Sequence, residues 1–455
     1  MTLLAFLFAI GLLVTVHEWG HYRVAVACGV KVYTFSVGFG PTLLKWRAKQ
    51  PHPHQNTEFQ IGLLPLGGFV RMADEREGAV CEADLPMAFN RQPLWARALI
   101  VAAGPLANLL LAVVLFAAMN IVGRYQTAPV LAAPVADSQA HRAGLKSGDE
   151  ILRVALDGEA LEPVSSLEDL RAWITEQTEL PLLLEVKSKE RAAIRLLRLD
   201  APISVFEGVS DGWQARGFTG AWSRPVVAEV VPGEPAAEAG LQSGDVVLKV
   251  DGQRVDDALT LRRLIRASGV SASPATQLWE VQRGERLLDL SVTPNRAPDG
   301  AFYIGRVGAR FGDAPSKVWI QLTPLNALTH ALDQMFNHVK SAIAVIGRLV
   351  SGASWEQVGG PLMIADYAGR TAQMGLGVYL GYLAMLSVSL GVFNLLPLPA
   401  LDGGYLLYYL YEFVTGKSPS DVWLGVLQRL GFTLLLTLMI FSFLNDAVRM
   451  GWLGG

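Results

Sequence analysis

Charge is scarce in this chain. Asp, Glu, Lys and Arg make up 17% of its 455 residues, where soluble domains carry roughly 25%. Cysteine is nearly missing too. Cys28 and Cys81 both precede the large polar middle of the sequence, so that middle is no disulfide scaffold in any compartment. No long block of Lys or Arg occurs and the net charge is −3, which leaves a nucleic-acid partner without its electrostatic footprint. What the chain has instead is apolar: 51% hydrophobic residues and a mean hydropathy of +0.33. That composition excludes disorder, collagen and coiled coil, and points to a protein that keeps part of its apolar surface in lipid.

Four segments are candidates to cross a bilayer. Residues 1–28 carry no Lys or Arg before the apolar run and no clean small-x-small site after it, so a membrane helix is expected rather than a signal peptide. Residues 95–122 and 371–402 supply two more, and 427–448 a fourth whose fully uncharged core, Leu430–Leu444, is only 15 residues long. Roughly 20 residues are needed, so this last segment has to extend past Arg429 or be partly buried. The stretch 29–94 holds Lys31, Lys45, Arg47, Lys49, Arg71, Arg76 and Arg91 and is therefore expected on the cytoplasmic side. Both termini and the long middle region then lie outside.

The middle region contains a repeat. At an offset of 96 residues, Ala143-Gly144-Leu145-x-Ser147-Gly148-Asp149 matches Ala239-Gly240-Leu241-x-Ser243-Gly244-Asp245, and each copy continues through an apolar strand to Asp157-Gly158 or Asp251-Gly252. Two copies of one module are expected, over 127–220 and 221–310. Both resemble PDZ domains of the bacterial protease type, α+β modules whose exposed sheet edge accepts an extended peptide. That resemblance points to Gly144, Leu145, Gly240 and Leu241 as peptide-binding positions. Residues 320–352 show amphipathic helical spacing, with Leu325, Leu328, Leu332, Met335 and Phe336 on one side. This helix is expected either along the membrane surface or packed on the second module.

The chemistry sits in the first span. His17-Glu18-Trp19-Gly20-His21 is an H-E-x-x-H sequence, which on a helix places both imidazoles on one face, able to share a Zn²⁺, with Glu18 beside them. Three ionisable groups within five residues of a span are costly unless they hold a metal, pair or line water. Zinc needs a third protein ligand. His52 and His54 fall in a Pro-rich loop, His141 in the repeat, and His330 and His338 in the amphipathic stretch. Asp402, at the end of the third uncharged run, lies at the depth of His17.

His17-Glu18-x-x-His21 and Asn394-x-x-Pro397-x-x-x-Leu401-Asp402-Gly403 resemble the two signature motifs of the site-2 protease family of intramembrane metalloproteases. Two PDZ-like modules between the second and third spans resemble its regulator-of-sigma-E protease type. Gly38-Phe39-Gly40 and Gly104-Pro105-x-x-Asn108 fall in the family's order as well. The resemblance implies a polytopic α-helical membrane protein of about four transmembrane helices, with a membrane-reentrant β-sheet and two exported PDZ-like domains. It implies that His17, His21 and Asp402 bind zinc and that Glu18 is the general base and acid. It also implies that strands in 35–39 and 58–71 form the reentrant sheet, with Gly38, Phe39, Gly40, Asn394 and Pro397 holding an unwound substrate. The implied substrates are single-span membrane proteins of the bacterial inner membrane, an anti-sigma factor in the envelope stress response and remnant signal peptides among them, with the modules as a size filter. Two rivals remain: a PDZ adaptor that has lost catalysis, and an ion or metal transporter.

Overall fold

The computed structural model describes residues 2–47, 55–177, 180–189, 193–200, 212–271, 274–300, 302–351, 360–418 and 420–449. Lys49, His52 and His54 lie outside them. The chain divides into two units, Met1–Arg124 with Gln321–Gly455, and Tyr125–Ile320. Among the described residues, four helices are long and apolar enough to cross a membrane: Thr2–Ala27, Leu94–Val122, Leu376–Asn394 and Val422–Val448.

The first unit opens with α1 (Thr2–Ala27), whose 26 residues reach about 39 Å at 1.5 Å per residue. Two long strands follow, β1 (Val32–Arg47) and β2 (Glu58–Met72). They pair antiparallel and fold over one another, so that Phe35 faces Val70 on one side and Phe59 on the other, while Trp46 also pairs with Phe59. The turn in β1 needs glycine. Gly38 and Gly40 have φ of 90° and 83°, a region that side chains disfavour, and a Cβ at Gly38 would sit 2.8 Å from the Leu64 carbonyl oxygen. Then comes α2 (Leu94–Val122). It meets α1 closely at Gly20, where a Cβ would be 2.4 Å from the Ala103 carbonyl oxygen.

The second unit holds both copies of the repeat, each a four-stranded sheet with one long helix. The first copy comprises β3 (Glu150–Leu156), β4 (Glu162–Pro163), α3 (Leu167–Glu176), β5 (Leu182–Lys187) and β6 (Ile194–Leu199). The second comprises β7 (Val246–Val250), β8 (Gln253–Arg254), α4 (Ala258–Ser268), β9 (Gln277–Arg283) and β10 (Arg286–Val292). Strand orders are β4-β3-β5-β6 and β8-β7-β9-β10, the same pattern twice. Each helix starts at a side-chain cap, Ser166 accepting from the Asp169 amide and Asp257 from the Thr260 amide. Ile151, Leu170 and Leu184 centre one core, and Val247, Leu261 and Trp279 the other.

The chain completes the first unit with α5 (Pro324–Val350), α6 (Pro361–Gln373), α7 (Leu376–Asn394), α8 (Asp402–Thr415) and α9 (Asp421–Arg449). The amphipathic stretch forms α5 and packs one side within the first unit. Ala331 and Met335 of α5 join a core with Phe116 of α2 and Leu383 of α7, while Leu325, Leu328 and Phe336 stay exposed. The run expected as one span over 371–402 is broken twice. Gly375, with φ 116°, separates α6 from α7. Pro397 and Pro399, which lack amide donors, keep the loop after Asn394 non-helical. Asp402 therefore begins a helix rather than ending one. The last helix does extend past Arg429, its 29 residues replacing the 15-residue core seen in the sequence.

Candidate metal centre

Helix α1 presents His17 and His21 one turn apart, their rings edge to face with centroids 4.8 Å apart. The two Nε2 atoms are separated by 3.2 Å. Asp402 Oδ2 lies 3.2 Å from His17 Nε2 and 3.6 Å from His21 Nε2, and this buried oxygen has no hydrogen bond. Three lone-pair atoms so placed repel one another unless a cation lies between them. A tetrahedral zinc with ligands about 2.0–2.1 Å away holds its ligands about 3.3 Å apart, which matches these separations. Among the described residues no other trio of His, Cys, Asp or Glu comes together in this way.

Local folding accounts for the convergence. The loop between Asn394 and Asp402 curls onto the first turn of α8, where a Cβ at Gly403 would be 2.2 Å from the Leu396 carbonyl oxygen and one at Gly404 would be 2.4 Å from that of Leu398. Only Asp-Gly-Gly lets the loop lie so close. Helix α8 is fastened to α2 by Arg97, which donates to both carboxylate oxygens of Glu412 at 3.3 and 2.7 Å and sits over the Tyr409 ring.

Helix α2 also orients the imidazoles. His21 Nδ1 is 2.9 Å from the Ile100 carbonyl oxygen, which can only accept, so the proton sits on Nδ1 and the Nε2 lone pair is free. His17 Nδ1 lies 3.2 Å from the Asn108 amide group. Asn108 is fully buried and one amide position has no partner. It is the Nδ2 group that faces the ring and Oδ1 that is left buried without a partner. Turning the amide over puts Oδ1 against Nδ1, where it accepts that proton, ends its own isolation and leaves the second Nε2 free as well. Gly104 lies between the rings, and a Cβ there would be 2.2 Å from His21 Nε2.

Glu18 shares the helical turn of His17, and Gly68 of β2 approaches it so closely that a Cβ would be 2.9 Å from Glu18 Cγ. The other expected site residues are distributed as follows. Gly38, Phe39 and Gly40 form the bend of β1, with Phe39 45% exposed and stacked on Phe69 at 6.2 Å. Asn394 is the last residue of α7, and Pro397 lies in the loop leading to Asp402. His338 stacks on Phe116 and takes no part in the centre.

In the repeat, Leu145 and Leu241 are core residues. Gly144 and Gly240 are turn positions with φ of 90° and 80°, and their carbonyls accept from Arg195 and Arg283. A groove of about 410 Å³ in the second copy is lined instead by Arg262 and Ile265 of α4 and by residues 304–311. Sequence reasoning missed that groove and the part of Ile100; it picked out Gly104 and Asn108 as members of the Gly104-Pro105-x-x-Asn108 motif without giving either a role.

The pattern of Peptidase family M50 matches residues 5–438. A Ralstonia nicotianae protein whose name places it among zinc metalloproteases is 36% identical over 459 residues, covering 99% of each chain. A similarly named protein of Neisseria meningitidis serogroup A is 36% identical over 466 residues, again 99% of each. The regulator of sigma-E protease RseP of Escherichia coli K12 is 35% identical over 463 residues, 98% of each. Matched from one end to the other, this chain belongs to Peptidase family M50, the site-2 protease family.

Proposed function

We infer that this metalloprotease is a zinc-dependent intramembrane endopeptidase in which His17, His21 and Asp402 hold the ion and Glu18 moves the proton. The observation that carries this reading is the approach of three donor atoms, from α1 and α8, to separations that suit one tetrahedral cation. Zinc bound there supplies Lewis acidity toward a peptide carbonyl and toward a water molecule. Glu18 stands on the same turn, able to take a proton from that water and return it to the leaving amine. Ile100 and Asn108 keep the two imidazoles aimed. Two peptides result.

A substrate helix shields its peptide bonds, and freeing one in lipid costs several kcal/mol per unsatisfied backbone group. The β1–β2 sheet supplies a replacement, because an exposed edge can pair with an unwound strand. Support for placing it within the membrane comes from its exposed Leu43, Leu44, Trp46, Leu63 and Leu64. Phe39, beside Gly38 and Gly40, and Asn394 with Pro397 complete the surface on which the strand would rest. The charge pattern of 29–94 supports an inner-membrane orientation with this sheet toward the cytoplasm and the repeat outside. The Escherichia coli relative's name points to a sigma-E pathway, hence to an anti-sigma factor as one single-span substrate.

The test is cleavage of a tagged single-span protein by the purified enzyme in detergent, before and after metal removal. Chelation abolishes cutting and added zinc restores it. Cutting that survives complete removal of metal contradicts the proposal.

A further inference from the structure

A cleft of about 1280 Å³ opens between the two repeat copies, separate from the groove in the second copy. Small-molecule sites occupy roughly 300–1,000 Å³, so this one suits a longer occupant. Its charge is unusual for its setting. The stretch Tyr125–Ile320 has more Asp and Glu than Lys and Arg, yet six cationic side chains line the cleft against three carboxylates.

All three carboxylates are already engaged. Asp149 accepts from Arg195 at 2.7 Å, Asp256 from Arg254 at 2.7 Å and Glu280 from Lys249 at 2.8 Å. Lys146, Lys189, Arg224 and Arg263 are left without an ion-pair partner among the described residues. Lys189 Nζ lies 3.5 Å from the centre of the Trp222 ring, and that ring is fixed by its own Nε1–H bond to the Asp256 carbonyl. Leu248 and Leu264 add partly exposed apolar lining. The cleft is also held at a set width. Fully buried Asp257, the cap of α4, accepts from the Ala133 amide at 2.7 Å and the Ser147 hydroxyl at 2.5 Å, both in the first copy.

We propose that this cleft binds an acidic, extended polypeptide segment, whose carboxylates pair with Lys146, Lys189, Arg224 and Arg263 while its apolar side chains meet Leu248 and Leu264. Four cations spread over an opening of about 1280 Å³ exceed what a single small anion can pair with, and suit a chain that carries several carboxylates. The site is a binding site only and shares no residue with the metal centre, so its failure would leave the peptidase reading untouched.

The experiment uses the full-length protein in detergent micelles and two fluorescein-labelled peptides, one alternating Glu and Ser, the other Gln and Ser, followed by anisotropy. The Glu peptide binds and the Gln peptide binds roughly tenfold more weakly, as expected for the loss of several partly exposed ion pairs. Lys146→Gln with Arg224→Gln weakens the Glu peptide by about tenfold. Both side chains are exposed, so the fold is retained. Arg286→Gln, at an exposed position outside the cleft, leaves binding as in the wild type. Equal binding of the two peptides, no binding of the Glu peptide, an unaffected double variant, or an equal loss in Arg286→Gln would each overturn the proposal.

Discussion

His17 and His21 can serve a cation only while their Nε2 lone pairs are free, and that depends on groups that never touch the ion. The Ile100 carbonyl settles His21 through Nδ1; Asn108, 3.2 Å from His17 Nδ1, does the same for His17 once its amide is turned so that Oδ1 faces the ring. Removing a partner of this kind typically costs 10–100-fold in metal affinity. Asn108→Leu is therefore expected to weaken zinc binding by about 10–100-fold in a chelator competition, and Asn108→Asp to retain most of it. Equal affinity in Asn108→Leu and wild type would remove Asn108 from this role. Gly104→Ala should cost more, because its Cβ would lie 2.2 Å from His21 Nε2. The H-E-x-x-H sequence was legible because helical spacing alone puts its members together. Gly104 and Asn108 were not readable in these roles, because their meaning depends on which faces of α1 and α2 meet, and no local pattern encodes that.

At the scale of elements, the two copies of the repeat make an internal comparison. Asp149 and Asp245 occupy the same turn and are equally buried, each 1% exposed. Burial pushes both carboxyls up, but only in the second copy is it overcome. Arg283 grips both oxygens of Asp245 through Nε and Nη2 at 2.7 Å and holds its pKa below the ordinary range. Arg195 reaches Asp149 through Nη2 alone, its Nε buried and unpartnered, and burial keeps the Asp149 pKa raised. By linkage, the depressed Asp245 contributes stability above its unfolded pKa of about 3.9, lost as pH falls through its folded value. The raised Asp149 instead costs stability above that unfolded value, and the cost is relieved on acidification.

Asp245→Asn should thus lower the melting temperature of this copy at neutral pH and lose its effect in acid, whereas Asp149→Asn, which removes a charge whose burial costs stability, should leave the first copy's melting temperature unchanged or raise it. Arg283→Ala, which strips a buried carboxylate of its partner, should cost about 1–3 kcal/mol. Equal effects of the two Asp substitutions would refute the difference in grip. The repeat itself was readable because a glycine-rich turn recurred with its flanking strand. The break of the third apolar run was not anticipated, although Gly375, Pro397 and Pro399 were in view. Hydropathy averages over such breakers, and the backbone does not.

For the molecule as a whole, membership of Peptidase family M50 and the proposed centre built from α1, α2 and α8 give one unit its chemistry, and the size filter implied for the paired repeat is open to a direct test. Deleting residues 130–294 is expected to let substrates with large exported domains be cleaved alongside trimmed ones, scored as the ratio of the two products. An unchanged ratio would argue against a filter. The account rests most heavily on Glu18, the one ionisable group of the centre that is assigned to the proton and not to the ion. The direct measurement is cleavage of a tagged single-span substrate by wild type and Glu18→Gln, with bound zinc quantified in both preparations. The account predicts full zinc in each and cutting by wild type alone; a Glu18→Gln enzyme that keeps its zinc and still cuts would contradict it.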